Sequence, residues 1–394
     1  MRHRHTLGSI VAEHGRALRE AQALSGAQLK ALRAIERCRT PALGGQLWRC
    51  DQCEQLQYRF HSCRDRHCPQ CQNLARERWL QARRAELLPV PYFHLVFTLP
   101  ESLRPLSMGN PRRMHAMLFR CVAETLKAFA ADPRWLGGEI AATLVLHTWT
   151  QRLDYHPHIH VLIAGGALSR EGQWIGAHRG FLFPVHALSK VFRGKYLHAL
   201  ENAMAAGAVR FSGSTASLSD VALRRRFVAN LRNTDWVVYA KPSARGPQQV
   251  LDYLARYTHK TALSNERILG ADSTEVRFAW RDRAHGNKRR TLRLPAQEFL
   301  GRFIRHVLPR GFTRIRHVGL LASRHKSAKL TAARSALQAP PPDPSPTPES
   351  AEQYCLRVLG LDIHQCPHCD AGRLRFAGAL APARRSRDPP SDVH

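Results

Sequence analysis

Tyr155-His156-Pro157-His158-Ile159-His160-Val161-Leu162 is the stretch that decides how this chain is read. Successive side chains of a strand point to opposite faces, so His158 and His160 share one face, about 6 to 7 Å apart. Ile159 and Val161 then turn to the core. Two imidazoles so placed suit one divalent ion. His156 extends the row, although Pro157 is expected to end regular strand before it. Residues 142–150 (ATLVLHTWT) predict the preceding strand, and His147 on it is a candidate third ligand. Asp154-Tyr155 supplies the turn and Gly165-Gly166 closes the second strand, which together predict an antiparallel hairpin. The bland alternative is a histidine-rich surface strand in a chain with 22 His.

Further out, apolar spacing sets the other elements. Residues 8–37 carry apolar side chains at intervals of three and four, which predicts helix, and Ser25-Gly26 breaks it in two. Residues 74–88 predict an amphipathic helix ended by Pro89 and Pro91. Residues 92–99 (YFHLVFTL) read as a strand closed by Pro100. Helices are expected near 113–130, at 186–205, at 247–259 with Pro247 in the first turn, and at 295–307. A short strand is expected at 236–239, and a β-hairpin at 276–280 and 290–294. Hairpins dominate the mixture of strands and helices, so the fold class is α+β.

The chain has 394 residues, 44% of them apolar, which excludes a wholly disordered protein. No run of about 18 uncharged apolar residues occurs, so no membrane-spanning helix is expected. The basic N-terminus has no apolar core behind it, which speaks against secretion. Sixty Lys+Arg against 30 Asp+Glu give a formal net charge of +30, and the partner this calls for is a polyanion, nucleic acid first. Residues 277–334 hold 16 Lys+Arg and two acids, +14 of that total. Arg289, Arg290, Arg302, Arg305, Arg314 and Arg316 read as a stripe for phosphates of single-stranded DNA, with Trp280 and Phe312 as stacking platforms. A solvated basic face is the alternative.

Ten Cys in a cytosolic reading are metal ligands before they are disulfides. Cys50-x2-Cys53 and Cys68-x2-Cys71 have fourteen residues between them, and two such knuckles complete a four-thiolate zinc site. His61, Cys63 and His67 lie between the knuckles, as substitute ligands or, for Cys63, as a small buried neighbour. Cys366-Pro367-His368-Cys369 reads as half a site without a second pair, or as a decayed knuckle. Residues 339–350 (APPPDPSPTPES) form a proline-rich linker, and the tail beyond reads as disordered at its end.

Tyr253 and Tyr257 stand four apart on the predicted 247–259 helix and share a face. Taken alone, such a pair is ordinary helix core. Beside a His-x-His strand it fits phosphodiester transesterification, in which a metal polarises the phosphate and a tyrosine oxygen attacks phosphorus.

At this point the chain resembles the rolling-circle transposases of bacterial insertion sequences, the two-tyrosine HUH nucleases of the insertion sequence 91 family. The resemblance runs from about residue 40 to 322. It rests on HSCRDRHCPQCQ (61–72), PYFHLVFTLP (91–100), LHTWTQRLDYHPHIHVLIAGGAL (146–168), YLARYTHK (253–260) and HVLPRGFTRIRHVGLL (306–321). It implies an HUH endonuclease-like antiparallel sheet flanked by helices, preceded by a small helical and zinc-knuckle domain. It also implies that His158 and His160 are the HUH pair and that Tyr253 and Tyr257 are the nucleophiles. The expected cofactors are structural zinc and catalytic magnesium or manganese. The expected partner is DNA, especially single-stranded element ends, and the expected location is the bacterial cytoplasm, at the nucleoid. The expected boundaries are a helical segment 1–45, a zinc-binding domain with its following helix 46–90, a catalytic domain 91–325, a linker 326–350 and a tail 351–394. A replication initiator or relaxase would share this chemistry. A non-catalytic zinc-dependent DNA-binding regulator explains the charge and cysteines but not the histidine strand or the tyrosines.

Overall fold

The structure is a computed structural model. It describes residues 5–178, 180–242, 249, 251–252, 255, 262–282, 285–341, 349–369 and 371–383. In chain order its strands are β1 (Gly45–Cys50), β2 (Leu56–Phe60), β3 (Tyr92–Thr98), β4 (Glu139–Trp149), β5 (Tyr155–Leu168) and β6 (Trp174–Gly176). Then follow β7 (Val238–Pro242), β8 (Ile268–Ala271), β9 (Glu275–Asp282), β10 (Lys288–Pro295), β11 (Ile315–Gly319) and β12 (Leu374–Leu380). The chain divides into two compact units, one made of 1–78, 259–307 and 346–394, the other of 79–258 and 308–345.

In the first unit, helix α1 (Leu7–Ala21) is closed by a capping box of Thr6 and Ser9, and α2 (Gly26–Arg37) by one of Ser25 and Gln28. Each box satisfies amide donors that a helix start leaves open, which is why Ser25-Gly26 begins the second helix. Both helices tie to a distant stretch. The Leu7 amide donates to Asn265 Oδ1 at 3.1 Å, and Gln28 Nε2 to the Ile304 carbonyl at 3.1 Å. That stretch is the antiparallel sheet β10-β9-β8 followed by the helix Ala296–Ile304. A second antiparallel sheet has the order β12-β1-β2.

Residues 259–307 group with the first unit, where they meet α1 and α2. So does part of the C-terminal segment: Ser350 and Gln353 cap the helix Ala351–Leu359, and β12 pairs along the whole of β1. That pairing spans more than 300 residues of sequence, so no local pattern announces it.

In the second unit five strands lie in the order β11-β4-β5-β3-β7, all neighbours antiparallel, and β6 adds to β5. One face is apolar throughout. Leu144 and Leu146 of β4, Ile159 and Val161 of β5, and Leu95 and Phe97 of β3 are buried in one cluster with Met114, Leu118, Phe192 and Tyr196. Those last four come from the helices Pro111–Ala131 and Val185–Ala205. Phe312 lies in the same core, so it is no stacking platform for a base. Alternation then puts His94, His147, His158 and His160 on the opposite face. Pro157 does not end the strand. The β4–β5 register shifts between His147 and Trp149, and this bulge absorbs the proline's missing donor while pairing resumes at Tyr155.

Candidate metal centres

His147 and His158 face each other across the β4–β5 ladder, and His160 follows one side-chain repeat later, opposite Val145. A nitrogen from each of the three rings lies within 4.8 Å of the other two. His158 Nε2 and His160 Nε2 are 3.1 Å apart, and the His147 and His160 ring centroids are 4.3 Å apart.

The rings are oriented from behind. His158 Nδ1 lies 2.7 Å from the His156 carbonyl oxygen, where it can only donate, so Nε2 carries the lone pair. His160 Nδ1 lies 2.9 Å from His94 Nε2. With Nδ1–H donated to His94, His160 Nε2 also presents a lone pair. Two lone pairs brought to 3.1 Å repel unless a cation or proton stands between them. Two neighbouring ligands of an octahedral ion with bonds of about 2.1 Å stand about 3.0 Å apart, so the spacing fits a divalent ion. Burial first, then the neighbouring His160, His158, Arg314 and His94, hold the His147 pKa well below its ordinary value. His147 is therefore neutral, the form that ligates.

The cysteines form two clusters among the described residues, Cys38 with Cys63, Cys68 and Cys71, and Cys50 with Cys53, Cys366 and Cys369. In each, the four Sγ atoms lie within 4.8 Å of one another. The expected quartet Cys50, Cys53, Cys68 and Cys71 is thus divided. The reason is the β1–β2 hairpin. Cys50 and Cys53 sit at its turn, while the chain leaves β2 at the other end, where the His61 amide bonds the Gly44 carbonyl at 2.9 Å. Five residues of strand, about 17 Å, separate the two knuckles. Cys38, at the end of α2, meets the second knuckle instead, and Cys63 is a member of the cluster. His67 is turned to Asp65, with Nδ1 3.0 Å from Oδ1, and His61 is exposed. Hydrogen bonds from Cys38, Cys63 and Cys68 pull the Cys71 thiol below its usual range, and the Cys53 amide pulls Cys50 down to about 7. Four soft thiolates suit zinc.

Residues 10–99 match the family described as "Transposase zinc-binding domain", and residues 141–329 the family described as "Putative transposase". Over 386 residues the chain is 44% identical to "Putative transposase y4qJ" of Sinorhizobium fredii (strain NBRC 101917 / NGR234), across 96% of this chain and 97% of that protein. The chain belongs to the insertion sequence 91 family of transposases. It is also 27% identical over 351 residues to "Transposase for insertion sequence element IS801" of Pseudomonas savastanoi pv. phaseolicola, across 87% of this chain and 82% of that one. Among solved structures, "Conjugative Relaxase Trwc In Complex With Orit DNA. Metal-Bound Structure" is similar at 18% identity and a TM-score of 0.24, across 45% of this chain and 67% of that one.

In this transposase Tyr253 and Tyr257 lie outside the described residues. Leu251 and Ala255, the described helical residues around Tyr253, are buried in one cluster with Tyr92 and Leu162. Leu162 shares the sheet face of His158 and His160 by its even spacing from both.

The basic residues fall in both units. Arg289, Arg290, Arg302 and Arg305 belong to the first unit, Arg314 and Arg316 to the second. Arg314 is buried, and its charge acts on His147. Arg316 lies over the Phe119 ring, 4.4 Å from its centroid, beside a cavity of about 1450 Å³ lined also by Arg112, Arg120 and Arg210. Arg302 pairs with Glu298 and Arg290 with Asp282. Arg289 and Arg305 are exposed. No described helix is long and apolar enough to cross a membrane.

Sequence reasoning missed His94, Cys38 and the partnership of Cys366 and Cys369 with the first knuckle. His94 had a signal: it interrupts an apolar strand on the face away from Phe93, Leu95 and Phe97.

Proposed function

We propose that this transposase cuts and rejoins single-stranded DNA at the ends of its element through a 5′-phosphotyrosine link, in rolling-circle fashion. The observation that carries the reading is the convergence of His147, His158 and His160, two of them with Nε2 lone pairs set by hydrogen bonds behind the rings. A divalent ion bound there would neutralise and polarise the scissile phosphate. A Tyr253 or Tyr257 oxygen attacks phosphorus, its proton departs, and the DNA 3′-oxygen leaves as a hydroxyl. The chain keeps the 5′-phosphate, so the bond energy is conserved and neither water nor a nucleotide cofactor enters. The 3′-hydroxyl of another strand reverses the step, and the second tyrosine permits a second cleavage before release.

Leu251 and Ala255, in one buried cluster with Leu162 of the histidine-bearing face, support the reading. Three neutral imidazoles favour manganese over magnesium, which prefers oxygen ligands. The test is cleavage of labelled single-stranded element ends. His158→Ala and His160→Ala should abolish nicking with DNA binding kept within a few-fold, and manganese should restore wild-type protein stripped with EDTA. Undiminished nicking in EDTA would contradict the proposal.

A further inference from the structure

The geometry points to a second structural zinc ion, held by Cys50, Cys53, Cys366 and Cys369, which fastens the C-terminal segment to the zinc-binding domain. The matched domain ends at residue 99, so two of these ligands lie far outside it. Cys50 Sγ is 3.7 Å from Cys369 Sγ, and Cys53 Sγ is 3.6 Å from Cys366 Sγ. Thiolates at the corners of a tetrahedron with zinc–sulfur bonds of about 2.3 Å stand about 3.8 Å apart. A disulfide would need about 2.05 Å.

Both turns are shaped for thiolates. The Gln52 and Cys53 amides point at Cys50 Sγ from 3.4 and 3.5 Å, and the His368 amide at Cys366 Sγ from 3.4 Å. Amide donors aimed at sulfur stabilise the charged form that ligates. The backbone around the cluster is stitched across the two segments. The Asp51 amide bonds the Arg373 carbonyl at 3.0 Å, the Arg373 amide bonds Asp51 Oδ1 at 2.7 Å, and Cys50 pairs with Leu374. A Cβ on Gly372 would stand 2.2 Å from Cys50 Sγ, so the cluster leaves no room for a side chain there.

The need for an ion follows from what surrounds the cluster. Its buried cluster is Cys50, Cys366 and Leu374, with Trp48 partly buried against it. Such a core is too small to hold β12 against β1 by burial alone, the situation in which small folds use metal as a staple. The other cluster, Cys38, Cys63, Cys68 and Cys71, shares no ligand with this one. The chain should therefore carry two zinc ions, and its last strand should depend on the second.

Elemental analysis and native mass spectrometry of the full chain test this. Wild-type protein should contain two zinc ions, and Cys366→Ser/Cys369→Ser one. Trypsin should release the 349–383 segment from the variant while sparing it in the wild type. Because the variant could misfold, the wild type is also alkylated before and after chelation: Cys366 and Cys369 should be protected with metal and labelled without it. One zinc per wild-type chain, labelling of both thiols in the metal-loaded protein, or a mass loss of two hydrogens per pair marking disulfides would each overturn the proposal.

Discussion

Replacing His94 isolates what the residue behind the metal centre contributes. His94 Nε2 lies 2.9 Å from His160 Nδ1, placed to accept its proton, and the two rings stack with centroids 5.1 Å apart and planes 8° from parallel. It therefore fixes both the tautomer and the tilt of His160 without offering a nitrogen to the three-histidine cluster. Loss of such an outer partner lowers metal affinity about 10- to 100-fold, which is about 1.4 to 2.7 kcal/mol. His94→Leu removes the acceptor and keeps an apolar body over the ring. His94→Gln keeps an acceptor oxygen. Manganese titration followed by electron paramagnetic resonance should show the Leu variant weakened within that range and the Gln variant recovering most of it. Nicking by the Leu variant should return at raised manganese concentration. Unchanged manganese affinity in His94→Leu, or equal loss in both variants, would refute the tautomer argument.

Acid should weaken the second unit through His115. This ring is buried, with Nε2 2.8 Å from Tyr155 Oη and the Phe312 ring 5.8 Å away, and burial pushes its pKa down to about 3. The unfolded chain takes up that proton near pH 6.5, so the stability is complete above about 6.5 and drains at about 1.4 kcal/mol per pH unit as pH falls towards 3. Urea unfolding between pH 7 and 5 should show a slope about one proton shallower in His115→Gln, and equal slopes would refute the assignment. Charge reversal at exposed Arg289 and Arg305 should weaken DNA binding for every sequence and lower the log–log salt slope by roughly one per residue. An unchanged slope would place the phosphate contacts elsewhere.

The hairpin and its histidines were legible because a two-residue period decides which side chains share a face, and that period needs no distant partner. The α+β class followed from the same local patterns. What the sequence hid was long-range. Cys38 is thirty residues from Cys68, and Cys53 is 313 from Cys366, so spacing within one motif pairs the wrong knuckles. The β1–β2 hairpin decides the pairing, because the strand length consumes the fourteen residues that a single site would have looped back. Pro157 misled for a related reason: its tolerance depends on a bulge in β5, where His156 and Pro157 oppose the single residue Thr148 of β4. Arg314 looked like surface charge because composition records charge and not burial.

The proposed chemistry requires a covalent bond between the chain and the 5′ end of a cut strand. Wild-type protein, Tyr253→Phe, Tyr257→Phe and the double variant are incubated with manganese and single-stranded element ends, denatured, digested and mapped by mass spectrometry. A nucleotide adduct should appear on the peptide carrying Tyr253 and Tyr257 in the wild type, be retained by at least one single variant and be absent from the double variant. An adduct that survives boiling in detergent in the double variant would contradict it and move the search to Tyr239, the tyrosine opposite Val96 on β7.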